Sequence, residues 1–208
     1  MKILLVHGLG RTSWSMSGLA PSLQGAGHTT ELFDYVALFH PFDEIADRLR
    51  DRCRELAAAG PYGIVTHSLG GVLTRAALAK ADFAKADFPL PAHVVMLAPP
   101  NQSPRLGRWA NRLLPYQWFA KQCGANMASL DFYTCLPALD CPYTIIAGTA
   151  GTVGPISPFG GEANDMIIGF EETKMRAGDR PLEVPAFHSF IMNHSRTKQL
   201  TVEAFADA

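Results

Sequence analysis

The sequence is poor in charge. Its 18 Lys and Arg against 19 Asp and Glu make up 18% of 208 residues, below the roughly 25% of an average soluble domain. With a formal net charge of -1 and no run of like charge, the chain lacks the basic footprint of a nucleic-acid binder. The same balance argues against a strongly charged substrate. Long apolar runs are missing as well. No stretch approaches the roughly 20 apolar residues that span a bilayer, so no integral membrane segment is expected. The opening run MKILLVHGLG is too short for a signal-peptide core and has no small-residue cleavage site, so it reads as a buried first strand.

Cysteine is scarce. Cys53, Cys123, Cys135 and Cys141 form no CxxC pair and have no histidine at zinc spacing, which excludes a disulfide scaffold and gives no metal site. A reducing cytoplasm is the expected compartment, with a bridge among Cys123, Cys135 and Cys141 left open. There is no internal repeat. What the chain has is apolar residue, 48% with 10% aromatics, enough for one sizeable core, so 1–208 is expected to be a single domain.

Short β-branched or apolar runs alternate with longer helical patterns, the signature of an α/β fold: a mostly parallel sheet of about six strands with helices on both faces. The expected strands are Lys2 to Val6, Thr29 to Asp34, Tyr62 to Thr66, His93 to Leu97, Tyr143 to Ala147 and Leu182 to Phe187. Asp43 to Ala59 carries Ile45, Leu49, Cys53 and Leu56 at helical spacing, and Gly60-Pro61 ends it. Leu69 to Lys80 and Leu200 to Ala208 complete the expected helices. From about 99 to 140 no convincing strand occurs, and a stretch that long carries structure or function of its own. Within it Leu106, Trp109 and Leu113 fall on one helical face and Arg105, Arg108 and Arg112 on the neighbouring one. This predicts an amphipathic helix stopped by Pro115. Trp118 and Phe119 follow. The segment is expected to be a cap or lid with Trp109, Trp118 and Phe119 as substrate-binding aromatics and a possible weak lipid contact. The plainer alternative is that these rings pack on the sheet.

In an open parallel sheet ligands bind outside the carboxyl ends of the strands. That rule sorts the polar residues. His7, Ser68, Asp165 and His188 follow strands, whereas His28, His93, Asp140 and Asp179 precede them. The strongest local signal is YGIVTHSLGGVL, where an apolar strand turns through His67-Ser68-Leu69-Gly70-Gly71 into a helix. A serine on such a turn projects its hydroxyl above the sheet, beside the backbone N–H groups of the helix start. The alternative is that Ser68 only caps the helix. Gly70 is small, as the turn requires, but Thr66 stands where glycine is usual.

A hydroxyl needs a base to attack an ester at neutral pH, and the base needs an acid to orient it. His188 follows the last strand, with His194 as its rival in the same loop, and His67 is expected to pack beside the turn. For the acid, Asp165 is preferred and Glu162 is the rival. The order Ser68, Asp165, His188 has separations of 97 and 23 residues. The backbone N–H groups of Leu9, in the loop His7-Gly8-Leu9-Gly10, and of Leu69 are the expected oxyanion donors. A competing reading takes Gly8-Leu9-Gly10-Arg11-Thr12-Ser13 and Asp34 as a dinucleotide site of an NAD(P)-dependent oxidoreductase. That reading leaves THSLGG and His188 without a role.

Four motifs, HGLG at 7–10, THSLGG at 66–71, GGEANDMII at 160–168 and FHSFIMNH at 187–194, resemble the α/β-hydrolase family, in particular small bacterial lipases and esterases with short caps. The resemblance spans almost the whole chain in the family's order. It implies an α/β-hydrolase fold and hydrolysis of a small-molecule ester or lipid by a serine hydrolase, with a Ser68–Asp165–His188 triad, an acyl-enzyme and no cofactor. The Asn164-Asp165 pair followed by Ile167 and Ile168, and the run His188 to Met192, match the family's acid and histidine loops and favour His188 over His194. Two further readings stay open at this point: acyl transfer by the same triad, and a non-catalytic binding module of the same fold.

Overall fold

The computed structural model describes residues 1–79 and 89–206. Six strands, β1 (Lys2–Val6), β2 (Thr29–Phe33), β3 (Tyr62–His67), β4 (His93–Leu97), β5 (Tyr143–Gly148) and β6 (Leu182–Val184), form one sheet in the order β2-β1-β3-β4-β5-β6. Every pairing is parallel. Side chains alternate across a strand, and the two faces accordingly build two cores. Leu4, Val6, Ile64, Val94, Met96 and Ile145 face one side. Ile3, Leu5, Val65, Val95, Leu97 and Ile146 face the other. A sheet covered on both faces explains why its strands are near-continuous apolar runs rather than alternating ones.

The first face is covered by α2 (Phe42–Ala59) and α3 (Leu69–Ala79). In α2 the residues Ile45, Leu49, Cys53 and Leu56 are buried, Asp43 and Glu44 sit in the first turn against the positive helix end, and Gly60 closes it at φ 132°. The second face is covered by a 3-10 segment (Ser13–Leu19), the short α1 (Ala20–Gly25) and the last helix (Ser195–Ala206). At Gly63 a Cβ would lie 2.3 Å from Phe205 Cε1. The bare glycine near the start of β3 is what lets that last helix dock.

Between β4 and β5 lie α4 (Arg105–Ala110), α5 (Leu114–Ala128) and α6 (Leu130–Cys135), with no strand among the described residues. The final helix is then α7. Here the structure departs from expectation in detail. The helix carrying Arg105, Arg108 and Trp109 ends at Ala110, and Pro115 lies in the first turn of α5 instead of stopping α4. Proline lacks an N–H that the first turn would leave unused anyway, so it starts helices as readily as it ends them. Helix α5 is itself broken at Lys121, whose φ is 42°.

Strand β6 stops at Val184 because Pro185 cannot donate to the ladder. Helix α7 begins five residues before the expected Leu200, its polar first turn masking the start. The expected helix end at Lys80, and the last two residues of the expected final helix, Asp207 and Ala208, lie outside the described residues.

Candidate active site

Strand β3 is buried along its whole length and delivers the chain to Ser68, whose φ is 50°. A left-handed backbone is rare for a residue with a side chain and is kept only where the surroundings enforce it. Two hydrogen bonds do so here: Ser68 N donates to Leu97 O at 2.9 Å and Gly71 N to Ser68 O at 2.9 Å. Next to it, a Cβ on Gly70 would lie 2.6 Å from Val6 O and 2.7 Å from His7 O. The turn therefore needs glycine at 70 because the β1 backbone passes directly against it. Thr66 is fully buried, and Gly71 leaves the room its side chain uses: a Cβ there would meet Thr66 Oγ1 at 3.3 Å. The small residue that the turn wants is displaced from 66 to 71.

The structure brings Ser68, Asp165 and His188 together, although the serine and the histidine are 120 residues apart in the chain. His188 Nε2 is 2.9 Å from Ser68 Oγ, and His188 Nδ1 donates to Asp165 Oδ2 at 2.7 Å. All three are buried. Asp165 Oδ1 accepts from Ile167 N at 3.0 Å and Ile168 N at 2.7 Å, so both carboxylate oxygens are occupied and the group is locked. The Asp165 carbonyl also accepts from His188 N at 3.0 Å. Asn164 stiffens the same loop, its amide donating to Thr152 O at 2.9 Å and Glu162 O at 3.0 Å.

The rivals point elsewhere. Glu162 receives Arg105 Nη2 at 2.7 Å and Glu171 N at 2.9 Å, while His194 accepts from Arg196 N at 3.2 Å.

His67 does more than fill space. Its Nε2 donates to the His188 carbonyl at 2.9 Å, and its ring centre is 4.9 Å from that of His188. Burial, and then the neighbouring His188, hold its pKa well below the usual histidine value, so it stays neutral. His7 is likewise held low by burial. Its Nδ1 donates to Gly8 O at 2.9 Å, its ring stacks on Tyr35 at 4.0 Å, and the Tyr35 hydroxyl donates to His7 O at 2.7 Å. This shapes the loop carrying Leu9, which borders the same cavity as Ser68. Leu69 opens α3, so its N–H belongs to the first turn that helical carbonyls cannot reach.

That cavity holds about 200 Å³ and is walled by Leu9, Pro100, Pro104, Met127, Ile167 and Ile168, with Arg11, Ser68 and His188 among its polar members. It is an apolar pocket opening on the serine. Trp109 and Trp118 are not in its wall. They are 60% and 71% exposed, so they neither line the cavity nor pack on the sheet, and Trp109 borders a separate hollow with Leu106 and Pro158. The side chain of Phe119 lies outside the described residues. The insertion contributes Pro100, Pro104, Gly107 and Met127 instead, residues whose composition carries no chemical signal.

Two arginines, Arg105 of the expected amphipathic helix and Arg75, which the sequence left unassigned, hold the insertion. Arg105 donates from N and Nε to Glu172 Oε1 at 2.8 and 2.9 Å, and Glu172 Oε2 accepts from Gly169 N at 2.9 Å, joining α4 to the loop of Asp165. Arg75, on α3, is buried and pairs with no carboxylate among the described residues. It donates to Asn101 O at 3.0 Å, Leu136 O at 2.7 Å and Pro137 O at 3.0 Å, and burial pushes its pKa down to about 10.

The alternative dinucleotide site fares differently. The Gly8-to-Ser13 loop runs into the 3-10 segment Ser13–Leu19, whereas a dinucleotide motif continues from its glycine loop directly into an α-helix whose N-terminus receives the pyrophosphate.

A model of the alpha/beta hydrolase family matches residues 3–182. The chain belongs to that family. No curated protein matches the sequence. Among solved structures, this hydrolase-family chain resembles the lipase BlEst2 of Bacillus licheniformis in its mature form, at 17% identity and TM-score 0.69 over 97% of this chain and 90% of that one. An extracellular α/β-hydrolase of a Paenibacillus species is similar at 16% identity and TM-score 0.62, over 98% of each chain. The NocB thioesterase domain of the nocardicin cluster is similar at 17% identity and TM-score 0.61, over 98% of this chain and 92% of that one. At such identities the likeness is one of fold. Among the described residues no helix is long and apolar enough to cross a membrane.

Proposed function

We propose that this chain is a serine hydrolase that cleaves carboxylic esters of small molecules or lipids through an acyl-enzyme. The observation that carries the reading is the unbroken relay Ser68 Oγ, His188 Nε2 and Nδ1, Asp165 Oδ2, with links of 2.9 and 2.7 Å, facing an apolar cavity. His188 takes the proton of Ser68 as Oγ attacks the acyl carbon. Asp165 holds the tautomer and stabilises the imidazolium. The Leu9 and Leu69 amides receive the developing oxyanion, each worth about 10²–10³ in rate. The imidazolium then protonates the departing alcohol. Water, deprotonated by the same histidine, releases the acid and restores Ser68. The steps need no metal or organic cofactor.

In this reading the 99–140 insertion is the cap of a single domain, and it shapes the pocket through Pro100, Pro104 and Met127. The four unbridged cysteines fit a reducing compartment such as the cytoplasm. Thioesterases among the fold's relatives support thioester cleavage or acyl transfer as a second use of the same relay.

A p-nitrophenyl ester series of increasing acyl length, run on wild type and Ser68→Ala, tests the proposal. Turnover is expected to fall by about 10⁴-fold or more in the variant, and a fluorophosphonate probe is expected to label Ser68 in the wild type alone. Equal turnover by both proteins would overturn the assignment, and a wild type that neither turns over an ester nor takes the label would be a binding module of the same fold.

A further inference from the structure

Among the residues that wall the cavity beside Ser68, one carries a permanent charge. Arg11 comes from the loop after β1 and reaches its wall next to Ser189, the residue following His188. One Nη2 hydrogen is given to the Ser189 carbonyl, and the guanidinium lies 5.9 Å from the centre of the Phe190 ring. These two contacts fix its position. Among the described residues no carboxylate pairs with this partly exposed side chain, and the Ser189 carbonyl is the one protein acceptor its guanidinium meets. A guanidinium held in an apolar wall without a counter-ion is poised for a planar or tetrahedral anion, which it grips with two parallel hydrogen bonds. The contrast with Arg105 is instructive. That arginine, on the insertion, is paired with two carboxylates, Glu162 and Glu172, which offset its charge.

We propose that Arg11 makes this wall an anion subsite, so that the preferred ester carries a carboxylate or phosphate near the bond to be cleaved. The inference deepens the hydrolase reading and rests on it for the word ester. The near-neutral net charge of the whole chain is no obstacle, because charged interactions are screened beyond about 10 Å and the cavity feels its own residues first. The subsite is chemically indifferent to whether the anion is a carboxylate or a phosphate, and to whether it belongs to the acyl or the alcohol part.

Binding and turnover are measured separately. In Ser68→Ala, titration with 3-butyramidobenzoate, 3-butyramidophenyl phosphate and the neutral 3-butyramidobenzamide places the anion on the alcohol side. Adipic acid monoanilide against adipamide monoanilide places it on the acyl side. At least one anionic analogue is expected to bind about ten- to a hundredfold more tightly than its neutral partner, the range of a charge-assisted hydrogen bond. Introducing Arg11→Gln should bring that ratio close to one, and Arg11→Lys, which keeps the charge, should retain part of it. Whichever of carboxylate and phosphate gives the larger ratio names the source of the anion.

Equal binding within every pair, or a preference that survives Arg11→Gln, would overturn the proposal. The corresponding esters, given to the protein with Ser68 intact, then read the chemistry. An Arg11-dependent binding preference with no Ser68-dependent turnover of any ester would overturn the hydrolase reading while leaving the subsite standing.

Discussion

The serine turn and the insertion that overhangs it are built on opposite terms. From Tyr62 to Thr74 every residue is buried, three glycines, Gly63, Gly70 and Gly71, are demanded by backbone or side chains at under 3 Å, and the serine itself is held at a left-handed φ. From Leu113 to Trp118 the described side chains stand out in solvent. The turn is over-determined by its neighbours. The insertion is fastened by Arg75 and Arg105 and by Cys123, Met127, Leu136 and Leu139, which join the core of the first sheet face, while the described side chains of its 113–118 stretch stand clear of that core. The difference teaches where rigidity and where variation reside: the contacts of Ser68, His188 and Asp165 are anchored in the close-packed sheet edge, and the pocket wall draws on insertion residues that neighbour a solvent-exposed stretch.

The comparison can be broken at its strongest point first. Asp165→Asn keeps the shape of the loop but offers His188 an amide where it needs a carboxylate. Ester turnover is expected to drop about 10⁴-fold, with thermal stability nearly unchanged, and both are read from kcat and Tm on one preparation. Gly70→Ala comes next. Its Cβ meets two backbone carbonyls that cannot move aside independently, so a loss of about 3 kcal/mol in urea unfolding is expected, at the upper end of overpacking costs.

The third effect is a pH dependence of stability. His67 and His7 are held below the usual histidine pKa by burial, so the unfolded chain takes up protons that the folded chain refuses. Their contribution is complete above about pH 6.5 and is lost as pH falls below it, by up to about 1.4 kcal/mol per pH unit for each histidine. Urea midpoints between pH 7 and pH 5 would show the slope, and His67→Gln should flatten it. The smallest effect belongs to the insertion. Trp109→Ser and Trp118→Ser are expected to change stability by no more than about 0.5 kcal/mol and to leave kcat/KM for a small ester unaltered. A large change in either would mean that the exposed rings serve the pocket after all.

The contrast also separates what could be read in the sequence from what could not. Strands β1 to β5 and helix α2 were legible because each is governed by local periodicity and by glycine or proline punctuation at its ends. The grouping of Ser68, Asp165 and His188 was legible because a parallel sheet sends the residues after its strands to one edge. The choice of Asp165 over Glu162 came from motif likeness, and its geometry rests on two amides, of Ile167 and Ile168, which no composition reveals. The insertion was the least legible. Pro115 is compatible with ending one helix or beginning another, and local sequence does not decide between them. Exposure of Trp109 and Trp118 likewise depends on which face of each insertion helix is turned to the core, a tertiary choice that local sequence does not make. Arg11, Arg75 and Arg105 are indistinguishable as letters; only their partners, a ring and one carbonyl, three backbone carbonyls, or two carboxylates, give each a different meaning.

The all-parallel sheet has a consequence for how the molecule comes into being. Each pairing of parallel strands waits for a crossover to be completed, and such non-local contacts slow folding. Synthesis proceeds from the amino end at about 5–20 residues per second, so the turn bearing Ser68 emerges several seconds before His188, which lies 120 residues further on. Throughout that interval the nascent chain carries a serine with no base beside it. The Ser68–His188 contact is thus completed last, by the docking of the edge strand β6 and the segment after it.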